Sequence, residues 1–120
     1  MKIAVTSTAP DFDAPMDPRF GRAACFLVVD TETMAWSVVE NSQNLNAAQG
    51  AGIQAGKTIV ETGCTAIITG NCGPKAFRVL TGAGIKIVTG AKGSARQAVE
   101  QFKAGELQES SEANVEGHWI

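Results

Sequence analysis

The chain is poor in the residues from which metal centres and catalytic pairs are usually assembled. It has one histidine, His118, and three cysteines, Cys25, Cys64 and Cys72, at wide spacing. A Cys-His nucleophilic pair or a multi-histidine metal site cannot be built convincingly from that set, so hydrolase chemistry has little support. An odd cysteine count with no CxxC fits neither a secreted disulfide framework nor a zinc knuckle, and reduced thiols are expected. Long apolar runs are also missing: Phe26–Val29 and Ala66–Ile68 fall far short of the roughly 20 residues that cross a bilayer. No basic excess exists, with Lys plus Arg at 10 against 12 for Asp plus Glu and a pI near 5.3, so no nucleic-acid partner is expected. The opening Met1-Lys2-Ile3-Ala4-Val5 moves straight into a strand pattern without a secretory h-region, which predicts a cytoplasmic protein.

What is present is 120 residues with 44% hydrophobic and 18% charged content and 13 glycines, the profile of a single compact soluble domain over residues 1–120. Turn signals separate five apolar runs, Lys2–Thr6, Cys25–Asp30, Ala35–Glu40, Thr65–Thr69 and Ile85–Thr89, which read as strands. Ala51–Glu61 has helical spacing through Ile53, Gly56 and Val60, with Ala55 and Ile59 alongside. Pro74 can open a second helix that places Ala76, Phe77 and Leu80 on one side before Gly82 and Gly84 stop it. Ser94 and Gln97 have capping-box spacing ahead of a third helix, whose inner stripe is Ala95, Ala98, Val99 and Phe102. The segment from Gly105 to Ile120 is polar and aperiodic, with His118 and Trp119 reading as a tail anchor.

This order predicts an α/β fold with a five-stranded mixed sheet, strand order 3-2-1-4-5, the second strand antiparallel to the rest and helices on both faces. The short Asp30–Met34 connection suits a hairpin. In such a sheet, ligands bind beyond the carboxyl ends of the parallel strands. Four segments converge there. The loop after the first strand carries Arg19 and Arg22; the Gly50-Ala51-Gly52 helix entrance offers small residues that let backbone approach a ligand. Asn71, Cys72 and Gly73 precede the second helix, and Lys92 and Gly93 the third, and both helix N-termini look ready for an anion.

Neither of these last loops matches a GxxxxGK[ST] phosphate loop or a GxGxxG fingerprint. Asp11, Asp13 and Asp17 lack calcium-loop spacing and read as solvated carboxylates. Cys64, before the fourth strand, belongs to the opposite edge and reads as core. Cys72 sits where a helix N-terminus would favour thiolate, and it ranks above Cys25 as a functional thiol.

The segment Asp17-Pro18-Arg19-Phe20-Gly21-Arg22-Ala23, followed by Phe26 and Asp30, resembles the opening signature of the dinitrogenase iron-molybdenum cofactor family. Gly50-Ala51-Gly52-Ile53, Ile67–Phe77, Ala83–Ile87 and Asn114–Trp119 are similar to segments that follow in the same order there. The resemblance spans nearly the whole chain. It implies a ribonuclease-H-like three-layer α/β/α fold that binds, stores or transfers metal-sulfur clusters and is not an enzyme. Within the family, a stand-alone domain of this kind is most like the orange proteins, which hold a mixed molybdenum-copper sulfide cluster without ordinary covalent attachment. Iron-molybdenum or iron-sulfur cargo is the alternative, and P-loop ATPases of the chromosome-partitioning type are implied as partners.

A thiomolybdate-type cluster is a bulky anion that brings its own sulfide ligands, so guanidinium groups, helix N-termini and glycine backbone can hold it. Arg19, Arg22, Gly50, Gly52, Asn71, Cys72, Gly73, Lys92 and Gly93 are the expected cofactor-binding residues, with Cys72 the one candidate for direct metal contact. Two readings of other classes stand beside this one: a small thiol-dependent enzyme using Cys72, and an interaction module with an empty anion site.

Overall fold

A computed structural model describes residues 1–41 and 51–110. The elements run β1 (Lys2–Ser7), β2 (Cys25–Asp30), β3 (Trp36–Glu40), α1 (Ala51–Thr62), β4 (Ala66–Ile68), α2 (Pro74–Gly82), β5 (Lys86–Thr89), α3 (Ala95–Lys103) and β6 (Gln108–Glu109). They form one mixed sheet in the order β3-β2-β1-β4-β5-β6. β2 is antiparallel to β1 and β3, whereas β1, β4 and β5 are parallel, as the helix-separated crossovers require. The mixed sheet and the 3-2-1-4-5 order expected from sequence are therefore present, extended by one strand.

That sixth strand is a correction. Gln108 and Glu109 are polar and exposed, and two residues carry no readable period. They become a strand because the outer edge of β5 offers unpaired backbone: Val88 pairs with Glu109 and Thr89 with Gln108, and the Ser110 amide donates to the Ile87 carbonyl at 2.7 Å. The start of the segment expected to be an aperiodic tail is thus tied to the sheet.

Strand alternation sorts the core into two layers. Ala4, Phe26, Val28, Ile67 and Ile87 face α1 and α2 through Ala55, Ile59, Ala76 and Leu80. Ile3, Val5, Leu27, Val29, Ala66, Ile68 and Val88 face α3 through Ala95, Ala98 and Val99. β1 is buried on both faces from Ile3 onward, which is why it reads as a continuous apolar run. The Ser94–Gln97 capping box forms as its spacing predicts. In α1 the inward residues are Ala55 and Ile59, and Val60 points outward. Gly56 lies against α2, where a Cβ would meet Val79 Cγ1 at 2.9 Å, so it is the close approach of the two helices that requires glycine.

The β2–β3 hairpin closes over Asp30–Met34, with the Asp30 carboxylate accepting from the Glu32 amide at 2.8 Å and Met34 at φ 63. No helix among the described residues is long and apolar enough to cross a membrane.

Candidate functional site

The carboxyl edge of β1, β4 and β5 is roofed by residues 8–24. The chain leaves β1 at Ser7, turns back so that Ser7 bridges Met16 and the Thr8 amide donates to the Pro15 carbonyl at 3.1 Å, then crosses the strand ends toward β2. Two seams fix this roof. At the first, Pro15 bridges Ser94, and the Met16 amide donates to the Gly93 carbonyl at 3.0 Å. At the second, Arg19 bridges Asn71 in parallel: the Asn71 amide donates to the Pro18 carbonyl at 2.6 Å and the Phe20 amide to the Asn71 carbonyl at 3.1 Å.

Beneath the second seam lies a buried polar layer. Thr6, Ser7, Asp17, Asn41 and Thr69 are the buried polar residues described, and all sit at this edge or in its roof. Thr6 Oγ1 donates to the Asp17 carbonyl at 2.6 Å and lies 3.2 Å from Thr69 Oγ1. Asn41 Nδ2 donates to the Gly21 carbonyl at 3.2 Å and the Ala23 carbonyl at 2.9 Å, pinning the far side of the Arg19–Arg22 stretch. Of these, Thr6, Ser7, Asn41 and Thr69 were not among the site residues expected from sequence. The available signal was that apolar runs at this edge end on Thr, Ser or Asn, residues that bond local backbone and so anchor loops.

The expected site residues are not all brought together. Arg19 and Asn71 lie side by side, and Cys72 and Gly73 follow directly. The Arg19 side chain is 51% exposed, Arg22 is half-buried, and Asn71 is half-buried beside them. Gly52 is buried in the first turn of α1, and Gly50 lies outside the described residues, as do His118 and Trp119. Lys92 and Gly93 reach the same edge, but the α3 N-terminus is not ready for an anion. Its amides are already used: Ala95 donates to the Ala14 carbonyl at 2.9 Å, Arg96 to the Phe12 carbonyl at 2.8 Å and Gln97 to Ser94 Oγ at 3.1 Å. Gln101 additionally clamps the Lys92 backbone, accepting from its amide and donating to its carbonyl. The α2 N-terminus is different: Gly73 supplies no side-chain cap, and Pro74 at the first turn has no N–H.

The aspartates of the roof also divide. Asp13 pairs with Arg96 Nε at 2.7 Å, which holds its carboxyl below the ordinary range, and Arg96 lies 4.6 Å from the centre of the buried Phe12 ring. Asp17 is not the solvated carboxylate expected. Its side chain is 5% exposed and accepts from the Arg19 amide at 2.9 Å and Arg19 Nε at 3.4 Å.

Cys72 overturns a second expectation. Its side chain is 1% exposed within the cluster that includes Phe20, Phe26 and Ala76, its thiol lies 3.7 Å from the Gly73 carbonyl, and burial pushes its pKa up to about 12. Enclosure by apolar side chains favours the neutral thiol at Cys72 over the thiolate expected from the helix that follows it. Burial raises Cys25 too, against a contact with the Ser7 carbonyl, while Cys64 is core at the opposite edge as read from sequence. No group of three or more His, Cys, Asp or Glu among the described residues is arranged to hold a metal ion. Chemically, the edge can grip an anion through guanidinium and peptide N–H groups. Among the described residues it does not offer a set of metal ligands.

A family model described as dinitrogenase iron-molybdenum cofactor matches residues 1–105. The chain belongs to that family. As a member of the dinitrogenase iron-molybdenum cofactor family it is similar to the orange protein of Desulfovibrio gigas, whose apo form superposes with a TM-score of 0.92 at 42% identity over 95% of this chain and 96% of that one. A Thermotoga protein solved by NMR shares 32% identity and a TM-score of 0.83 over 97% and 98% of the two chains. An uncharacterised protein of Methanocaldococcus jannaschii is 31% identical over 111 residues, 90% of each chain. The range matched by the family model includes the roof, the polar layer and both seams.

Proposed function

We propose that this protein binds and carries an anionic metal-sulfur cluster at the carboxyl edge of its sheet, gripping it through Arg19, Arg22 and the start of α2, which no side chain caps, without cysteine ligation. The observation that carries the reading is the second seam. It sets the half-exposed Arg19 side chain beside Asn71, just before the start of α2, where no side chain caps the helix. Membership of the dinitrogenase iron-molybdenum cofactor family supports a cofactor-binding or carrier role. A cluster whose sulfides already satisfy its metals needs charge and shape from the protein and few protein ligands, which suits an edge with arginines and no ligand cluster.

The cargo we assign first is a mixed molybdenum-copper sulfide cluster, following the similarity to the orange protein; an iron-molybdenum or iron-sulfur cluster is the alternative. A thiol-dependent enzyme is disfavoured at Cys72, where the thiol is neutral and enclosed by apolar side chains.

The test is anaerobic reconstitution with tetrathiomolybdate plus copper, and separately with iron and sulfide, followed by desalting, a visible spectrum and elemental analysis. Retention of molybdenum and copper with a visible band is expected for the first mixture. The Arg19→Gln/Arg22→Gln protein should lose it while keeping its circular dichroism. Retention unchanged in that double variant, or no retained metal from either mixture, rejects the proposal.

A further inference from the structure

We propose that Asp17 is the positioning residue for Arg19, a buried carboxylate that holds the guanidinium by Nε and leaves its terminal nitrogens for an anionic cargo; this deepens, and rests on, the cluster-binding reading above. A carboxylate as enclosed as Asp17 is tolerated only where partners replace its water. Its Oδ1 takes two donors from one residue, the Arg19 amide at 2.9 Å and Arg19 Nε at 3.4 Å.

The backbone beneath that carboxylate is fixed from both sides. The Asp17 amide donates to the Thr6 carbonyl at 3.0 Å, and Thr6 Oγ1 donates to the Asp17 carbonyl at 2.6 Å. Asp17 is therefore anchored to the end of β1, and through Thr69 Oγ1 to the end of β4, before it touches Arg19. The other acid of this roof that forms an ion pair, Asp13, is engaged by Arg96 and does not compete.

A guanidinium is planar, so holding Nε restricts the direction of the whole fork. The terminal nitrogens of Arg19 have no acceptor among the described residues, and half of the side chain is exposed. Asp17 thus supplies what a free arginine at a loop lacks, a fixed orientation before the ligand arrives.

Charge is what separates this role from a turn-forming one. Asparagine at position 17 could accept from the Arg19 amide as well as aspartate does, but it would hold Nε without the ionic component. Asp17→Asn should therefore fold with a thermal midpoint near wild type and retain the molybdenum-copper cargo about fivefold to tenfold less well, the size of one weakened charge-assisted contact. Added to Arg19→Gln, it should lower retention no further, since the group it positions is gone.

A second arm needs no cargo. In the cargo-free wild-type protein, NMR should show Arg19 Hε exchanging with water several times more slowly than Hε of the exposed Arg78, and Asp17→Asn should remove that difference. Equal exchange of the two Hε protons in wild type overturns the positioning role while leaving cluster binding standing. Failure of wild type to hold any cluster overturns the binding reading, and the exchange measurement still decides whether Asp17 fixes Arg19. Additive losses in the double variant, or unchanged retention in Asp17→Asn, also overturn the proposal.

Discussion

Pro18 and Gly70 meet backbone to backbone: a Cβ on Gly70 would stand 2.7 Å from the Pro18 carbonyl oxygen and 2.8 Å from its Cα. The contact is tighter than any side chain permits, and it is what lets the Asn71 amide reach Pro18 one residue later. Gly70→Ala should cost about 1–3 kcal/mol, because neither backbone can yield without breaking the seam. Gly82→Ala, where a Cβ meets nothing within 4 Å at the end of α2, is the control and should be neutral or stabilising by up to about 1 kcal/mol. Urea unfolding of the two variants checks the contrast, and equal stabilities would mean that the seam is not tight.

Lys92 and Arg19 should differ as cargo contacts. The N-terminal amides of α3 are bonded to the roof and Lys92 is exposed, so Lys92→Gln should reduce cluster retention by less than a factor of about two. Arg19→Gln should reduce it about tenfold, the effect of one charge-assisted contact, and should flatten its dependence on salt. Retention measured across a sodium chloride series ranks the pair, and a larger loss for Lys92→Gln would move the site toward α3.

Cys72 makes a prediction about alkaline stability. Its folded pKa of about 12 lies above the ordinary thiol value of 9.0, so between those two values the unfolded chain has released a proton that the folded chain retains. Stability from this group is complete below pH 9 and falls as pH rises from 9 toward 12. Wild type should lose more of its urea midpoint between pH 8 and pH 10.5 than Cys72→Ala does, although the variant starts lower for want of a buried side chain. Native Cys72 should also resist iodoacetamide at pH 8 until denaturant is added.

Asn41 is fully buried and bonds two carbonyls of the Arg22 stretch. Asn41→Ala should cost about 1–3 kcal/mol by leaving the Gly21 and Ala23 carbonyls without that donor. Hydrogen exchange at residues 21–24 should accelerate more than exchange in β5, and uniform acceleration would mean that Asn41 stabilises the fold at large and not this stretch.

Local pattern determined most of the architecture. The apolar runs Lys2–Thr6 and Cys25–Asp30, the Ser94–Gln97 pair and the Asp30–Met34 turn are each local, so the element order, the cap of α3 and the hairpin were legible in the sequence alone. Topology then made the carboxyl ends of β1, β4 and β5 the expected ligand edge. Tertiary structure alone decided what those ends can do. Whether α3 offers free amides depends on carbonyls of Phe12 and Ala14, more than 80 residues away. Whether Cys72 is a thiolate depends on the apolar side chains that exclude water from it, and not on the helix that follows it. Whether Asp17 is solvated depends on Thr6 beneath it and Arg19 beside it, and the two-residue β6 exists only because β5 leaves an edge to pair. Periodicity and caps are written in neighbouring residues, whereas desolvation and long-range hydrogen bonding exist only once distant segments have met.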